Sequence, residues 1–166
     1  MIICSDRLFF HPITRTEANL LMISPNDFES ISGLSLNKDW PHDGLRAYLP
    51  IYVEQLLKNN HVKGYGPWIV YTNEKKVIGD IGFRGVPGAN GYLEVGYYIT
   101  PAERKKGYAS ESLGVLCDWA FSQTGVKGIL AECEMKNRGS QMVLEKNRFV
   151  RIANDGYSIS YELLKI

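Results

Sequence analysis

Several features are scarce in this 166-residue chain, and each scarcity excludes a class of protein. Only three cysteines are present, at Cys4, Cys117 and Cys133, and their odd number and wide spacing do not suggest a disulfide framework. No apolar run approaches the roughly 18 residues that would suggest a membrane span. The 19 Lys and Arg nearly balance the 18 Asp and Glu, so no global field favours nucleic acid or an anionic membrane.

Segments that direct or divide a protein are scarce as well. The first residues lack a basic region followed by an apolar stretch, so we expect no signal peptide and a cytoplasmic location. No repeat, low-complexity tract or linker-like run of Pro, Gly and Ser interrupts the chain. Because 45% of the residues are hydrophobic, the chain can fill a core, and we expect residues 1–166 to form one domain.

The first part of the chain combines strand and helix patterns. Residues 8–13 are typical of a strand, and a helix is predicted from Thr16, which we interpret as a weak N-cap. Pro25 begins either a turn or a second helix. Apolar residues recur at helical spacing across residues 43–58, and Pro50 inside this run predicts a kink or a restart of the helix.

The middle of the chain predicts a sheet. Strand patterns at residues 68–71, 77–83 and 93–99 follow one another through short links, which implies antiparallel pairing. An amphipathic helix pattern at residues 109–121, with Gly125 placed to end it, then leads to a further strand. That strand, residues 128–134, should be parallel to the one before the helix. A helix and a hairpin complete the pattern, at residues 140–146, 149–151 and 158–164.

The turn before the amphipathic helix has the composition of an anion site. Three basic residues, Arg104, Lys105 and Lys106, precede Gly107, which would let the backbone approach a ligand closely. The N–H groups at a helix N-terminus lack partners and carry partial positive charge, which suits phosphate. A solvated basic turn with a conformational glycine is the structural alternative. The chain has neither G-x-G-x-x-G nor a P-loop, so nucleotide binding ranks lower.

Residues 104–109 resemble the R/Q-x-x-G-x-G/A acyl-CoA motif of the GNAT superfamily of N-acetyltransferases. Residues 94–97 and 109–111 are similar to the branch that includes ribosomal-protein N-terminal acetyltransferases, and residues 137–149 resemble its N-x-x-S-x-x-x-L-E-K-x-G-F pattern. With the opening Asp-Arg-Leu, the resemblance covers nearly the whole chain. Arg148 replaces the usual glycine, so we expect the turn there to need no positive φ.

The resemblance implies a mixed α/β, GNAT-like fold. One central, mostly antiparallel sheet of about six or seven strands would contain a splayed parallel pair and be flanked by about four helices. The implied activity is acetyl transfer from acetyl-CoA to a primary amine by direct attack in a ternary complex, without a metal. The acceptor is either a peptide or protein N-terminus or a small-molecule amine. A catalytically silent acyl-CoA-binding module is the alternative, and a homodimer is an option because dimers are common in this branch.

The resemblance also implies where acetyl-CoA binds. Its pyrophosphate would lie on the basic turn and the helix start. Its pantetheine arm would lie between the strands at residues 93–99 and 128–134, whose unpaired backbone groups its amides can satisfy. A preset N–H there would stabilise the oxyanion that forms from the thioester carbonyl. The residues expected to hold acetyl-CoA are Tyr97, Tyr98 and Ile99 through main-chain atoms, Arg104, Lys105, Lys106, Gly107, Tyr108, Ala109 and Ser110 in the turn and helix start, and Asn137 through its amide.

Acetyl transfer to an amine needs a proton acceptor and a proton donor for the departing thiolate. Glu94 is the candidate base, directly or through water, because it begins the strand that borders the acetyl group; a solvent-facing carboxylate is its alternative role, and Asp80 is the next candidate. Ser140 is the candidate acid, with a role as N-cap of the last helix equally open. Tyr98 and Tyr157 are weaker candidates for the acid.

Other reactive side chains are expected to be structural. The histidines are isolated from one another and from the cysteines, so no metal site is expected. Cys117 lies on the apolar helix face, and an acyl-cysteine route through Cys133 lacks a supporting histidine. Residues 33–66 hold no acidic cluster, which argues mildly against an aminoglycoside as the acceptor. Aromatic residues are candidates for the acceptor cleft, namely Trp40, Tyr48, Tyr65 and Trp68.

Overall fold

The structure, a computed structural model, describes residues 1–166 as one mixed sheet of eight strands with five α-helices. The strands are β1 Ile3–Cys4, β2 Leu8–Pro12, β3 Pro67–Thr72, β4 Val77–Phe83, β5 Tyr92–Ile99, β6 Gly128–Glu134, β7 Val150–Asn154 and β8 Ser158–Leu164. The helices are α1 Arg15–Ile23, α2 Pro25–Ser32, α3 Asp43–Lys58, α4 Tyr108–Ser122 and α5 Arg138–Lys146, with 3-10 turns at Asn60–Val62 and Pro101–Glu103.

The sheet has the strand order β1-β2-β3-β4-β5-β6-β8-β7. Every neighbouring pair is antiparallel except β5 and β6, which are parallel and joined through α4. This confirms the expected mixed sheet with its parallel pair. The sheet has more strands than expected, in part because the two-residue edge strand β1 is too short to produce an alternating pattern.

Two apolar cores cover the two faces of the sheet. Trp68 and Val70 of β3 pack in the core that includes α4 and α5, whereas Ile69 and Tyr71 pack in the core that includes α1, α2 and α3. Successive side chains of a strand point to opposite faces, so β3 is buried on both sides. The helices therefore form two layers, and each layer contacts a different face of the central strands.

Two helix starts differ from the prediction. The N-cap of α1 is Thr14 rather than Thr16: its side chain accepts from the N–H of Glu17, whose carboxylate accepts from the N–H of Thr14. This reciprocal capping box satisfies two helix-terminal donors at once, which Thr16 could not do. The N-cap of α5 is Asn137, which accepts from the N–H of Ser140, so the alternative role of Ser140 as N-cap is wrong.

Arg148 adopts φ +67°, so the expectation of a turn without positive φ is wrong. Its N–H donates to the carbonyl of Glu145, and the N–H of Phe149 donates to the carbonyl of Leu144. This pair of bonds is a Schellman motif, which ends a helix by placing one residue in the left-handed region. Phe149 is buried in the core, and its burial offsets the strain of about 1 kcal/mol at a non-glycine residue there.

The remaining helix boundaries follow the prediction with small shifts. Pro25 begins a second helix, and α3 runs through the exposed Pro50 as one helix rather than restarting there. Helix α4 ends at Ser122, and Gly125, with φ +86°, lies in the turn that leads to β6. None of the helices is long and apolar enough to cross a membrane.

Candidate active site

The parallel strands β5 and β6 separate after three residue pairs. Their pairing ends at Glu94 opposite Leu130. Beyond that point β5 pairs only with β4 and β6 pairs only with β8. A cavity of about 370 Å³ occupies the gap, lined by both strands and by the start of α5. The gap is the splayed pair that the sequence resemblance implied.

The direction of the backbone groups in β5 decides which of them face this gap. The carbonyl of Glu94 accepts from the N–H of Arg84, and the N–H of Thr100 donates to the carbonyl of Ile78, so both residues point to β4. Main-chain groups alternate along a strand, and those of Val95, Tyr97 and Ile99 therefore face the gap.

The predicted main-chain role of Tyr98 is wrong, because its carbonyl points to Gly79 on β4. Ile99 faces the gap, but its carbonyl already accepts from Nε of Arg104 at 2.9 Å. Val95, which the sequence analysis did not select, offers main-chain groups to the gap in place of those of Tyr98. The register of a strand pair sets this direction, and the register was not available from one sequence.

The turn before α4 leaves a row of backbone donors free. No hydrogen bond within the protein uses the N–H groups from Lys105 to Ser110, and α4 has no side-chain cap. Lys105 and Gly107 have φ of +62° and +83°, which curves the backbone around these donors. Consecutive N–H groups in such a turn form a concave anion site.

The basic side chains of this turn are not equally available. Arg104 holds the end of β5 and lies over the ring of Tyr98 at 5.3 Å. Lys106 pairs with Glu103 at 2.8 Å. Lys105 is exposed and forms no ion pair. Of the three cations that the sequence analysis selected, Lys105 is the one free to contact an anion without giving up a partner.

On the α5 side of the gap, two hydroxyl groups form a pair. The hydroxyl of Tyr97 lies 2.7 Å from Oγ of Ser140, and either atom can be the donor. Burial raises the pKa of Tyr97 to about 12, so this hydroxyl keeps its proton at neutral pH. Asn137 uses its side-chain oxygen as the cap of α5, which leaves its amide NH₂ group without a protein partner beside the cavity.

Glu94 lies on the opposite face of β5 from Tyr97. Its carboxylate is 43% exposed and pairs with the more exposed Arg84 at 2.8 Å. A methyl group placed on Gly96, the next residue on the same face, would meet no atom within 4 Å. The face that carries Glu94 is therefore open where the strands separate.

Asp80 is buried and its carboxylate is held by neighbouring side chains, so it is poorly placed to act as a general base. The side chain of Trp40 donates to Oδ2 of Asp80 at 2.7 Å. Nε2 of His42 lies 3.1 Å from the same oxygen, outside hydrogen-bond geometry, and the ring of His42 stacks on Tyr98 at 4.1 Å. These contacts tie the loop before α3 to the end of β5, and sequence spacing gave no indication of this cluster.

The other selected side chains lie outside the gap or inside the cores, apart from Cys133. Trp40 and Trp68 are buried, whereas Tyr48 and Tyr65 are partly exposed, so only the latter two could contact an acceptor directly. Tyr157 is 86% exposed in the turn between β7 and β8. Cys133 lines the cavity, but burial raises the pKa of its thiol, which disfavours the nucleophilic thiolate.

Comparison with known proteins identifies the family. The family model described as "Acetyltransferase (GNAT) domain" matches residues 7–150. The uncharacterized N-acetyltransferase YjdG of Bacillus subtilis (strain 168) is 37% identical over 130 residues, which cover 76% of this chain and 77% of that protein. The uncharacterized N-acetyltransferase YoaA of the same organism is 33% identical over 152 residues, covering 89% of this chain and 82% of that protein.

Solved structures share the fold at lower sequence identity. RimL, a ribosomal-protein α-N-protein acetyltransferase solved in complex with coenzyme A, superimposes with a TM-score of 0.70 at 18% identity, covering 99% of this chain and 98% of that chain. The ribosomal-protein-S5-alanine acetyltransferase of Vibrio fischeri gives 0.69 at 19% identity, covering 99% and 96%. The chain belongs to the GNAT family of acetyl-CoA-dependent N-acetyltransferases.

Proposed function

We propose that this enzyme acetylates a primary amine by direct attack in a ternary complex, with acetyl-CoA and the amine meeting in the gap between β5 and β6. The observation that carries this proposal is the distribution of groups on the two faces of β5. Tyr97 and Ser140 lie towards α4 and α5, whereas Glu94 and the open space at Gly96 lie on the other face. Proton removal and proton donation are thereby separated by the strand itself.

The described residues fit acetyl-CoA along its length. The free N–H groups of residues 105–110 suit its pyrophosphate, with Lys105 as the available cation. The edges of β5 and β6 beyond Glu94 and Leu130 offer unpaired main-chain groups to the amides of the pantetheine arm. The NH₂ group of Asn137 is positioned at the same cavity. Acetyl-CoA supplies the activated acyl group, and the protein aligns it with the amine.

Glu94 is the proposed base on the acceptor face. Its partial exposure and its position beside the gap suit a carboxylate that removes a proton from the ammonium group, directly or through water. The ion pair with Arg84 orients the carboxylate. The N–H groups of Val95, Tyr97 and Ile99 face the gap, where one of them can stabilise the negative charge that develops on the thioester oxygen.

Ser140 is the proposed acid, with Tyr97 as its partner. If the hydroxyl of Tyr97 donates to Oγ of Ser140, the proton of Ser140 is free to point to the leaving sulfur. The raised pKa of Tyr97 keeps this arrangement protonated across the physiological range. The backbone N–H of Ser140 donates to Oδ1 of Asn137 at 3.0 Å, and this hydrogen bond helps to fix the position of Ser140.

The proposed acceptor is the α-amine of a peptide or protein. Structural neighbours include an acetyl transferase of Salmonella typhimurium that modifies the N-terminal serine of the ribosomal subunit protein L7/L12, and the face of β5 that carries Glu94 is open at Gly96. A small-molecule amine is the competing acceptor.

Release of free CoA thiol from acetyl-CoA, followed spectroscopically, tests the activity. Three acceptors are compared. The first is a peptide whose only amine is its N-terminal α-amine, the second is the same peptide with a blocked N-terminus and an added lysine as its only amine, and the third is a polyamine. Turnover with the free α-amine alone supports the proposal, and turnover with the polyamine alone would assign a small-molecule acceptor. Tight acetyl-CoA binding without turnover on any amine would favour the alternative function, an acyl-CoA-binding module.

A further inference from the structure

A residue far from the acyl-CoA motif reaches the start of α4. Arg7 precedes β2, yet its Nε and its terminal nitrogen lie 2.8 and 2.6 Å from Oε2 of Glu111, in the first turn of α4. Another terminal nitrogen of Arg7 donates to the carbonyl of Lys106 at 3.0 Å. The guanidinium also lies 4.5 Å from the centre of the Tyr108 ring. Arg7 thus contacts the turn, the helix and an aromatic ring at once.

The contact with Lys106 fixes the orientation of one peptide group. In a trans peptide the carbonyl and the following N–H point in opposite directions. A carbonyl of Lys106 that points to Arg7 therefore directs the N–H of Gly107 away from Arg7. That N–H is one of the free donors of the turn, and Gly107 has the φ of +83° that this orientation requires.

Glu111 fixes the arginine in turn. Its Oε1 accepts from Oγ of Ser5 at 2.6 Å and from the N–H of Arg7 at 3.2 Å, while Oε2 receives the guanidinium. The side chain of Glu111 is 19% exposed, so this ion pair is partly shielded from water. A guanidinium can occupy these several sites together because its donors are rigid and planar, which a lysine ammonium cannot reproduce.

We propose that Arg7 is a positioning residue for the phosphate-binding turn: it locks the Lys106–Gly107 peptide so that the N–H of Gly107 faces the pyrophosphate of acetyl-CoA. Arg7 does not itself bind the phosphate, because its donors are directed to Glu111 and Lys106. The inference rests on the proposed function, since it requires acetyl-CoA at this turn. It adds a contribution from the N-terminal end of the chain to a site that the motif confines to residues 104–109.

Titration calorimetry with acetyl-CoA tests this role. Arg7→Lys and Arg7→Ala should each weaken binding about tenfold, the effect of losing one well-oriented donor to phosphate. Gly107→Ala disfavours the same peptide orientation, because alanine rarely adopts φ near +83° and its Cβ would lie 3.3 Å from a terminal nitrogen of Arg7. Both changes act on one peptide group, so the double variant should bind much more tightly than the product of the two losses predicts. The variants should lose affinity for dephospho-CoA by the same factor, because dephospho-CoA keeps the pyrophosphate that the turn is proposed to recognise.

The matched control is Arg151→Ala. Arg151 is exposed to a similar extent, pairs with Glu145 at 2.7 Å and lies over the ring of Tyr161, but it does not touch the turn. This variant should bind acetyl-CoA as the parent protein does, and melting curves of all variants check that the fold is retained.

The outcomes separate the two proposals. Parent-like affinity in both Arg7 variants, or independent losses that simply multiply in the double variant, would contradict the role of Arg7 while leaving the proposed function intact. A parent protein that does not bind acetyl-CoA would contradict the proposed function itself, and the role of Arg7 with it.

Discussion

Two helix starts in this molecule treat their backbone donors in opposite ways. At α1 the side chains of Thr14 and Glu17 satisfy terminal donors through a reciprocal capping box. At α4 the N-cap is Gly107, which has no side chain, and the donors before and within the first turn are left free. The first start is closed by the chain's own groups, and the second is open.

The same contrast holds within the parallel strand pair. Up to Glu94 and Leu130 the backbone groups of β5 and β6 satisfy one another, and beyond that point they do not. Buried backbone polar groups are almost always satisfied in folded proteins. The free donors at residues 105–107 are exposed to water, and it is their concave arrangement, with positive φ at Lys105 and Gly107, that suits an anion. The comparison predicts that substitutions at the start of α4 or where β5 and β6 separate alter binding and turnover. Substitutions at the capped start of α1 should alter stability alone.

The largest expected effect comes from closing the open helix start. Gly107→Glu places a carboxylate among the free donors and strains the backbone, and we expect acetyl-CoA affinity to fall at least about 100-fold because like charges meet. Gly125→Glu is the control: Gly125 also has positive φ, a Cβ atom there would meet no atom within 4 Å, and it follows the other end of α4. Calorimetry that gives equal affinities for the two variants would contradict the placement of the phosphate.

The next effect concerns the point where the strands separate. Glu94→Gln removes the proposed proton acceptor and should lower kcat by about 100-fold with little change in the Kd of acetyl-CoA. Glu132→Gln is the control because Glu132 lines the same cavity from β6. Steady-state kinetics in which only the Glu132 variant loses activity would transfer the role of base to that residue.

A smaller effect is expected at the hydroxyl pair across the gap. Tyr97→Phe and Ser140→Ala should each reduce kcat about tenfold, since each removes the hydrogen bond between the two hydroxyl groups of the proposed proton donor. Because the pKa of Tyr97 is raised to about 12, its loss should not introduce or remove an ionisation between pH 7 and 10. A double variant whose losses multiply would show that the two hydroxyl groups act separately.

At the closed helix start we expect a change in stability alone. Thr14→Ala removes the N-cap of α1 and should cost about 1 kcal/mol, which lowers the Tm by about 2–4 °C for a chain of this size. The Kd of acetyl-CoA should remain that of the parent protein. Weakened binding in this variant would indicate that the two helix starts are coupled, contrary to the comparison.

The smallest expected effect is the pH dependence of the stability that Glu17 contributes through the capping box of α1. Burial raises the pKa of Glu17, but hydrogen bonds from His11 and Thr14 outweigh it and hold the pKa below its usual value. The stabilisation is therefore present above the unfolded-state pKa and is lost as the pH falls through the folded-state pKa. Glu17→Gln should lower the Tm at pH 7, and the difference from the parent protein should shrink towards pH 3. A difference that is constant with pH would exclude the carboxylate as its source.

Much of this fold was predictable because its patterns are local. The strand–turn–strand pattern identified β3 and β4, and helical spacing identified α3 and α4 with small errors at their ends. The basic turn was found because its motif is contiguous in the sequence. Errors arose where two similar residues compete, as with Thr14 and Thr16, and where burial of a distant residue compensates strain, as at Arg148.

The parts of the site that were missed depend on register and on distant contacts. Whether Tyr97 or Tyr98 presents its main chain to the gap follows from the pairing of β4 with β5, which one sequence does not contain. The contact of Arg7 with Lys106 joins residues 99 positions apart. Composition and spacing cannot indicate such contacts, because they describe neighbours along the chain.

The most direct test of the open helix start follows backbone amide resonances during titration with acetyl-CoA. At 18.8 kDa the protein is small enough for each N–H to be resolved. The account predicts the largest shifts at residues 105–110, smaller shifts at Val95, Tyr97 and Ile99, and none at the first turn of α1. Shifts that leave residues 105–110 unchanged while acetyl-CoA binds elsewhere would contradict it.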